Sequence, residues 1–422
     1  MFIPNDWGIL SFIISKISVV FGIALWAIFL YYLFISMFAW KRRKEMPADK
    51  FEPKNRFAIV IAAHNEEKVI SNAIKSLKCV NYPKDMYDIY VVADNCDDMT
   101  ASIARECGAY VLERTDRLKR GKGYALEWAF NKLFELDINY DAITVLDADN
   151  LVSQNYLLEM NKHLCMGHNV IQGYIDSKNP EDTWISGNNS IAFWISNRLI
   201  QLPRYYLGLS CTLGGTGFTI ATDVLKEIGW GATCLAEDLE FTLKLILNGK
   251  KVYWAHDAVI YDEKPLTIIQ SWKQRKRWMQ GHFDCLKRFV KDLLLKAFKD
   301  KSIIAFDSVM YLIQPVIVAA NGFGVVFGTF SIIYSIFTAK TLQAALFSIL
   351  MFAFMYFNVL FVIIEGKFSV KMIKYLALVP IYNFTWIPII IQGYIDRDKK
   401  EWFHTIHTRA LDIKDVEKFQ KV

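Results

Sequence analysis

Four long stretches without a charged residue lie towards the two ends of the chain, and they limit its possible folds more than any other feature. The stretches cover residues 17–40, 308–339, 341–364 and 375–395. A helix rises about 1.5 Å per residue, so each stretch is long enough to cross roughly 30 Å of hydrocarbon. A buried core helix is the alternative for any one of them, but four together at the chain ends favour membrane spans.

Residues 1–40 are predicted to form an N-terminal transmembrane anchor, because the stretch is too long for a signal peptide and lacks a small-residue cleavage site. A basic linker at 41–56 follows and begins with Lys-Arg-Arg-Lys. Positively charged loops stay in the cytoplasm, so the N-terminus should face outward and the middle of the chain inward. A nucleic-acid-binding patch is the alternative for the linker, but no aromatic stacking platform is interleaved with it, and no nucleic acid partner is expected.

The seven cysteines all lie in the middle region and show no C-x-x-C spacing. Reduced thiols in the cytoplasm are the simplest account of this pattern. Neither a disulfide framework nor a zinc site is therefore expected.

The middle region alternates strand-like and helical patterns. Residues 57–63 are continuously apolar, which is typical of a parallel strand covered on both faces. A polar tip and a helical pattern follow, and a second apolar strand at 88–93 ends on Asp94. A helix over 100–107 and a short strand at 110–112 come next. This alternation predicts an α/β sheet, whose ligands bind at the carboxyl ends of its strands.

A third apolar strand runs directly into Asp147-Ala148-Asp149. Two acids one residue apart at a strand end favour a divalent hard cation with a phosphate on its far side. A loop with solvated acids is the alternative. Asn65 and Asp94 also follow strands, so the sequence predicts a constellation of polar groups at one edge of the sheet.

Three further segments carry candidate site residues. Lys122 stands between two glycines at a helix start, which suits an anionic phosphate, although a basic surface turn is the alternative and the Walker A spacing is absent. The glycine-rich segment 210–217 permits close approach of a ligand to the backbone, or it is a plain tight turn. Glu237 and Asp238 open a helix over 239–247; acids favour a helix start, so we assign capping to Glu237 and catalysis to Asp238.

A basic, tryptophan-bearing helix begins at Trp272. We expect Lys273, Arg275 and Lys276 to act as interfacial anchors. Residues 283–300 have the periodicity of an amphipathic helix lying on the cytoplasmic leaflet.

The C-terminal hydrophobic block leaves its own topology open. Pro315 and the Gly-Phe-Gly at 322–324 interrupt it, so its first part is one tilted span, a re-entrant segment with a span, or two short spans. Three lysines at 367–374 indicate an inside loop, and the charged residues at 396–400 also look inside. These two assignments conflict if 375–395 crosses the membrane once.

The ordered motifs resemble the "D, DxD, ED, QxxRW" pattern of membrane-embedded, processive family 2 glycosyltransferases, which include the cellulose, chitin and hyaluronan synthases. The matching residues are Asp94, Asp147-Ala148-Asp149, Glu237-Asp238 and Gln274-x-x-Arg277-Trp278. The resemblance implies an α/β GT-A glycosyltransferase domain inserted in an α-helical membrane region. The implied layout is a cytoplasmic GT-A domain at 57–270, interfacial helices at 271–300, a C-terminal transmembrane region at 301–396 and a cytoplasmic-type tail at 397–422.

The resemblance also implies a role for each matching residue. Asp238 is the general base, and Mg²⁺ or Mn²⁺ is held by Asp149, the direct ligand, together with Asp147. The implied donor-binding residues are His64, Asn65, Glu66, Asp94, Lys122, Asp147, Gln274 and Arg277, and the acceptor-binding residues are Gly215, Thr216, Glu237 and Trp278. Two departures stand out: the second tip has Asn-Cys-Asp-Asp after Asp94, which leaves a role for Asp97 or Asp98 open, and Ala-Glu-Asp replaces Thr-Glu-Asp, which weakens an assignment to the cellulose synthases.

The expected function is therefore an inverting, processive transferase that polymerises a UDP-sugar, with UDP-glucose or UDP-N-acetylglucosamine favoured, into a β-linked polysaccharide and passes it across the membrane. A non-processive transferase acting on a lipid acceptor is the first alternative. A transporter or channel with a nucleotide-regulated domain is the second, disfavoured because the spans hold almost no ionisable residues. The expected partners are the UDP-sugar, the growing glycan and the bilayer of the plasma membrane, with the catalytic domain cytoplasmic. A homo-oligomer or an accessory export protein is left open.

Overall fold

The computed structural model describes residues 26–40, 45–316 and 369–399, with positions 16, 20, 23, 24, 318, 319, 409–413, 415 and 416. The strands are β1 (Phe57–Ala63), β2 (Tyr87–Asp94), β3 (Tyr110–Arg114), β4 (Ala142–Asp147), β5 (Leu151–Val152), β6 (Val170–Ser177), β7 (Phe218–Ala221) and β8 (Tyr253–Asp262). The helices are α1 (Trp26–Trp40), α2 (Ile70–Lys78), α3 (Thr100–Glu106), α4 (Lys122–Phe134), α5 (Tyr156–Cys165), α6 (Trp184–Ile195), α7 (Leu202–Leu207), α8 (Thr222–Ile228), α9 (Glu237–Leu247), α10 (Ile268–Lys299), α11 (Ile303–Leu312), α12 (Val370–Leu376), α13 (Val379–Phe384) and α14 (Trp386–Ile395).

The strands form one mixed sheet in the order β3-β2-β1-β4-β7-β6-β8-β5. Strands β1 to β4 pair in parallel, with Ala63 opposite Ala93 and Ala62 opposite Asp147. The carboxyl ends of β1, β2 and β4 therefore meet at one edge of the sheet, as the sequence predicts. Alternate residues of β1 enter the cores on the two faces, Val60 one and Ile59 the other, which explains why the whole strand is apolar.

The sheet must curl, because β5 follows β4 after only three residues and yet pairs with β8 at the far edge. Three strands, β7, β6 and β8, lie between β4 and β5 in the sheet order. The connection 148–150 thus bridges two distant parts of the sheet, and Asp149 lies in the middle of it.

Helix α10 is a single helix of 32 residues, not two separate segments. Its second half packs through Cys285, Phe289 and Leu293 on α9 and α11, so this apolar face meets protein, and the expectation that it lies on the leaflet is wrong for these residues. Arg275 is also not an exposed anchor. It is fully buried, with its guanidinium 4.4 Å from the ring centre of Tyr382, because α13 and α14 cover that side of α10.

Within the residues that the structure describes, no single helix combines the length and apolar composition needed to cross a bilayer. Val370–Leu376 and Val379–Ile395 meet those criteria only as a pair, and that pair is bent by 50°. Of the predicted spans, 341–364 lies wholly outside the described residues, and 308–339 lies mostly outside them.

Candidate active site

A cavity of about 870 Å³ opens at the carboxyl ends of β1, β2 and β4. It brings together nearly all the predicted site residues, from seven separate parts of the chain: His64, Glu66, Asp94, Lys122, Asp147, Asp149, Gly215, Thr216, Glu237, Asp238, Gln274, Arg277 and Trp278. Asn65 is the exception, since it does not line the cavity. Its backbone has φ +56°, and its side-chain oxygen accepts a hydrogen bond from Asp97 N at 2.8 Å, so it shapes the loop after β1 and this geometry does not support a donor contact.

The side of the cavity formed by β1 and β2 centres on Asp94. Its carboxylate forms an ion pair of 2.5 Å with Arg114 and accepts a hydrogen bond of 2.9 Å from the Asn95 amide. His64 Nδ1 lies 2.7 Å from the Asp94 carbonyl oxygen, which joins the two loops. Asp94 is thus a buried, oriented acceptor at the cavity wall.

Lys122 connects three of the predicted motifs. It forms an ion pair with Asp147 and donates a hydrogen bond of 2.7 Å to the Gly215 carbonyl oxygen. Burial disfavours its charged form, but the nearby Asp147 and Glu237 carboxylates outweigh burial, and the pKa of Lys122 is raised above its ordinary value. A fixed positive charge therefore stands beside the acid pair, where a diphosphate would develop negative charge.

The two acids of the DxD motif differ in surroundings. The side chain of Asp147 is 39% exposed, whereas that of Asp149 is 5% exposed. Asp149 accepts hydrogen bonds from Glu263 N at 2.8 Å and from the Asn150 amide at 3.2 Å. Lys178 donates to the Asp149 carbonyl oxygen at 2.6 Å, so this acid is held by the residues that follow the neighbouring strands β6 and β8.

The donor set fits a hard divalent cation. Asp147 and Asp149 offer carboxylate oxygens at the cavity, which are the ligands that Mg²⁺ and Mn²⁺ prefer. Among the described residues, no group of three or more His, Cys, Asp and Glu side chains forms a metal-holding cluster. Mg²⁺ is commonly bound by one or two carboxylates with substrate phosphates and water, so two carboxylates suffice for a site completed by its substrate.

Asp238 lies in the first turn of α9, where its Oδ1 accepts a hydrogen bond of 2.8 Å from Leu239 N. Burial and the negative charge of Glu237 raise the pKa of the Asp238 carboxyl to about 7, against the opposing pull of Lys122 and Arg277. Gly215, with φ +81°, brings its backbone close enough that a Cβ there would lie 3.4 Å from Asp238 Oδ2. A carboxyl with a pKa near neutrality in a cavity is suited to act as a general base.

Helix α10 supplies the last wall. Trp278 lies against Phe193 of α6, with ring centres 6.1 Å apart, and Arg277 donates to the Leu235 carbonyl oxygen at 3.3 Å. Within the described part of the chain, no donor reaches the buried Gln274 Oε1. The Gln274 side chain lines the cavity, so its amide group lies beside the ligand space with one acceptor oxygen unsatisfied. A Cβ on Gly281 would lie 2.5 Å from Ala236 N, so only glycine allows α10 to approach the Asp238 loop this closely.

The sequence analysis missed three residues that hold the site: Arg114, Lys178 and Glu263. Arg114 could have been found, because it lies only two residues beyond the predicted strand 110–112. Extending that strand to Arg114 places this residue opposite Asp94 on β2. Lys178 and Glu263 had none, because their proximity to Asp149 depends on the curl of the sheet.

Comparison with known proteins agrees with this geometry. Residues 53–281 match the family described as Glycosyltransferase like family 2. The chain is 29% identical over 254 residues to the beta-monoglucosyldiacylglycerol synthase of Nostoc sp., covering 57% of this chain and 51% of that protein. It is 23% identical over 304 residues to the poly-beta-1,6-N-acetyl-D-glucosamine synthase of Staphylococcus aureus, covering 69% of each. The chain thus spans from about half to about two thirds of the length of these curated relatives.

A solved structure, the mannosyltransferase PcManGT from Pyrobaculum calidifontis in complex with GDP-Man and Mn²⁺, has a TM-score of 0.59 and 17% identity over 91% of this chain and 99% of that chain. This likeness supports the predicted GT-A-like α/β fold. The family match covers more than half of the chain. The protein therefore belongs to glycosyltransferase family 2, whose members transfer sugars from nucleotide sugars.

Proposed function

We propose that the protein is an inverting transferase that moves a sugar from a UDP-sugar to an acceptor hydroxyl, with Asp238 as the general base. The observation that carries this proposal is the position of Asp238, whose raised pKa and cavity exposure coincide with the Lys122–Asp147 ion pair at the same cavity. UDP is proposed as the nucleotide from the motif resemblance, with Asp94 and Arg114 on the uridine side.

The proposed reaction is a single displacement. Asp238 accepts the proton of the acceptor hydroxyl while its oxygen bonds to the anomeric carbon, and the bond from that carbon to the diphosphate oxygen breaks. UDP leaves on the opposite face, so an α-linked donor gives a β-linked product. Lys122 and Arg277 stabilise the negative charge that builds on the diphosphate. A divalent cation on Asp149 and Asp147 would add Lewis-acid stabilisation of that leaving group.

We propose polymer synthesis as the overall activity, at the cytoplasmic face of the plasma membrane. Aromatic side chains suited to stack on sugar rings line the cavity, namely Trp278, Phe193 and Trp386. The relative named as a poly-beta-1,6-N-acetyl-D-glucosamine synthase supports this acceptor class.

Single transfer to a lipid is the second candidate, and a different observation favours it. The cavity is also lined by the aliphatic side chains of Pro315, Val318 and Ile390, which a polar glycan would not need. The relative named as a beta-monoglucosyldiacylglycerol synthase supports a lipid acceptor.

The test is release of the nucleoside diphosphate by the detergent-purified protein with Mg²⁺ or Mn²⁺, across a panel of UDP-sugars and GDP-sugars, with and without diacylglycerol, followed by sizing of the product. A long product from one donor, digested by a β-specific hydrolase, supports polymerisation. A single β-linked sugar on diacylglycerol would replace it with the lipid candidate. Turnover with GDP-sugars alone would overturn the assignment of UDP.

A further inference from the structure

Helices α12 to α14 contact the catalytic domain at their beginning. Lys371 forms an ion pair of 3.6 Å with Glu181, the residue that precedes α6 by three positions. The Tyr375 hydroxyl donates to the Glu181 carbonyl oxygen at 3.1 Å, and the Asn188 amide of α6 donates to the Tyr375 carbonyl oxygen at 3.3 Å. The start of this segment is thus fixed to the domain that carries the active site.

The end of the same segment also returns to that domain. Trp272 Nε1 donates to Gln392 Oε1 at 2.9 Å, and Gln280 Nε2 donates to the Asp396 carbonyl oxygen at 2.9 Å. Lys276 adds an ion pair with the Asp396 carboxylate. The residue after the last helical turn therefore lies on α10.

The middle of the segment is held on α10 as well. The Arg275 guanidinium donates to Thr385 Oγ1 at 2.8 Å and lies 4.9 Å from the ring centre of Trp386. Arg275 and Gln280 are five residues apart on α10, a rise of about 7.5 Å along the helix axis. These contacts hold the middle and the end of the segment on one short stretch of α10, and Glu181 and Asn188 hold its beginning on the same domain, whereas a crossing segment would have to place one of its ends on the opposite side of the bilayer.

Charge and apolarity give independent support. Lys371 and Lys374 lie in the first helix of the segment, and Arg397 and Lys399 follow its last helix, next to Asp396 and Asp398. Lysine and arginine, rather than net charge, indicate the inside, so both ends are assigned to it. Apolar side chains between these ends are exposed and do not line the cavity: Val370, Ile373, Ile381, Ile391 and Ile395. Basic ends around an apolar outer face match an anionic leaflet over hydrocarbon.

We propose that Val370–Ile395 is a re-entrant helix pair, which enters and leaves the bilayer on the side of the catalytic domain. Its outer face contacts lipid, and its inner face forms the wall of the active-site cavity through Pro380, Tyr382, Asn383, Trp386 and Ile390. This arrangement removes the conflict between the two basic clusters, because neither has to be outside. The inference rests on the membrane attachment in the proposed function, but not on the identity of donor or acceptor.

Thiol labelling of the full chain in sealed membrane vesicles tests the topology. Cys79 is exposed on the catalytic domain and marks its side of the membrane. Lys371→Cys and Lys399→Cys each place a thiol at one end of the pair, where the native side chains are both 64% exposed. Each variant is treated with a membrane-impermeant polyethylene glycol maleimide before and after permeabilisation with detergent, and Cys79→Ser identifies the band that belongs to Cys79.

The expected result is one additional mass shift for each variant, before permeabilisation, in the same vesicles that label Cys79. Labelling of only one end before detergent would establish a crossing and overturn the proposal. Recovery of the protein in the soluble fraction after cell lysis would overturn it as well. UDP release measured on the same vesicles keeps the proposed function separate, because a crossing segment with normal turnover refutes the topology alone.

Discussion

Arg114 forms a buried ion pair of 2.5 Å with Asp94, at the carboxyl ends of two neighbouring parallel strands. A second nitrogen of the same guanidinium donates to the Lys119 carbonyl oxygen at 2.7 Å, in the segment that leads to Lys122. Arg114 therefore orients the predicted nucleoside contact and ties it to the loop before the predicted diphosphate contact.

Replacing Arg114 with Gln should weaken both the fold and donor binding. Removing one partner leaves the Asp94 charge buried and uncompensated, so the free energy of unfolding should fall by about 3–5 kcal/mol, and KM for the donor should rise. Arg105→Gln is the matched control. Arg105 forms an ion pair with Glu113, the residue before Arg114, but both side chains of that pair are largely exposed. Loss of the exposed ion pair should lower the free energy of unfolding by less than about 1 kcal/mol. Equal losses in the two variants, by chemical denaturation, would refute a special role for Arg114.

Asp238→Asn should fold, bind UDP and lose turnover. The asparagine oxygen can still accept the Leu239 N–H, so the helix start is kept, but the proton acceptor is gone and kcat should fall by about 100- to 10,000-fold. Asp223→Asn is the control, because Asp223 makes the same local hydrogen bond, to Val224 N at 2.7 Å, at the start of α8. UDP binding is measured by calorimetry and turnover by UDP release, for both variants. Full turnover in Asp238→Asn would refute the assignment of Asp238 as the general base.

The pH dependence of kcat/KM should follow the Asp238 carboxyl. A base must be deprotonated to accept a proton, so activity should rise with pH, reach half of its maximum near 7, the raised pKa of Asp238, and level off above that value. Glu237→Gln removes the neighbouring negative charge and should move the midpoint to lower pH. Glu227 is exposed, so Glu227→Gln provides a control with the same change of net charge and no expected shift of the midpoint. An unchanged midpoint in Glu237→Gln would show that the charge of Glu237 does not raise the pKa of Asp238.

Removal of divalent metal should abolish UDP release, and Mg²⁺ or Mn²⁺ should restore it. Asp147→Asn should raise the metal concentration needed for half-maximal activity with little change in Tm, because that side chain is 39% exposed. Asp149→Asn should also lower stability, by about 1–3 kcal/mol, since an amide has only one oxygen for the Glu263 and Asn150 donors. Activity that survives an excess of chelator would refute the metal requirement.

The parts of the fold that follow from local pattern could be predicted from the sequence. The apolar run of β1 indicates a strand that is buried on both faces, and the acids after β4 and the glycines around Lys122 indicate ligand-binding loops. Parallel pairing then brings the strand ends together. Parallel pairing thus predicts that Asp94 and Asp147 lie at one edge of the sheet, whereas Lys122 and Asp238 are assigned to the same site through the family resemblance.

What could not be predicted depends on packing between distant elements. Arg275 has the same charge and neighbours as Lys276 in sequence, but only Arg275 is covered by the rings of α13 and α14. In the same way, no local signal in 262–264 indicates that Glu263 N would donate to Asp149, more than 100 residues earlier. Asn65 follows a strand as Asp94 does, yet its backbone has a positive φ and its side chain accepts a hydrogen bond from Asp97 N, so it stabilises the loop.

The three-residue bridge from β4 to β5 ties the active site to the order in which the chain is synthesised. Asp147 and Asp149 leave the ribosome about 100 residues before β8, the strand that pairs with β5 and precedes the Glu263 N–H. A nascent chain that ends before Tyr253 holds both acids, the first seven strands and the Lys178 and Asn150 donors, but it lacks the Glu263 N–H. The Asp149 carboxylate therefore gains its last backbone donor only when the final strand of the sheet has been synthesised and docks.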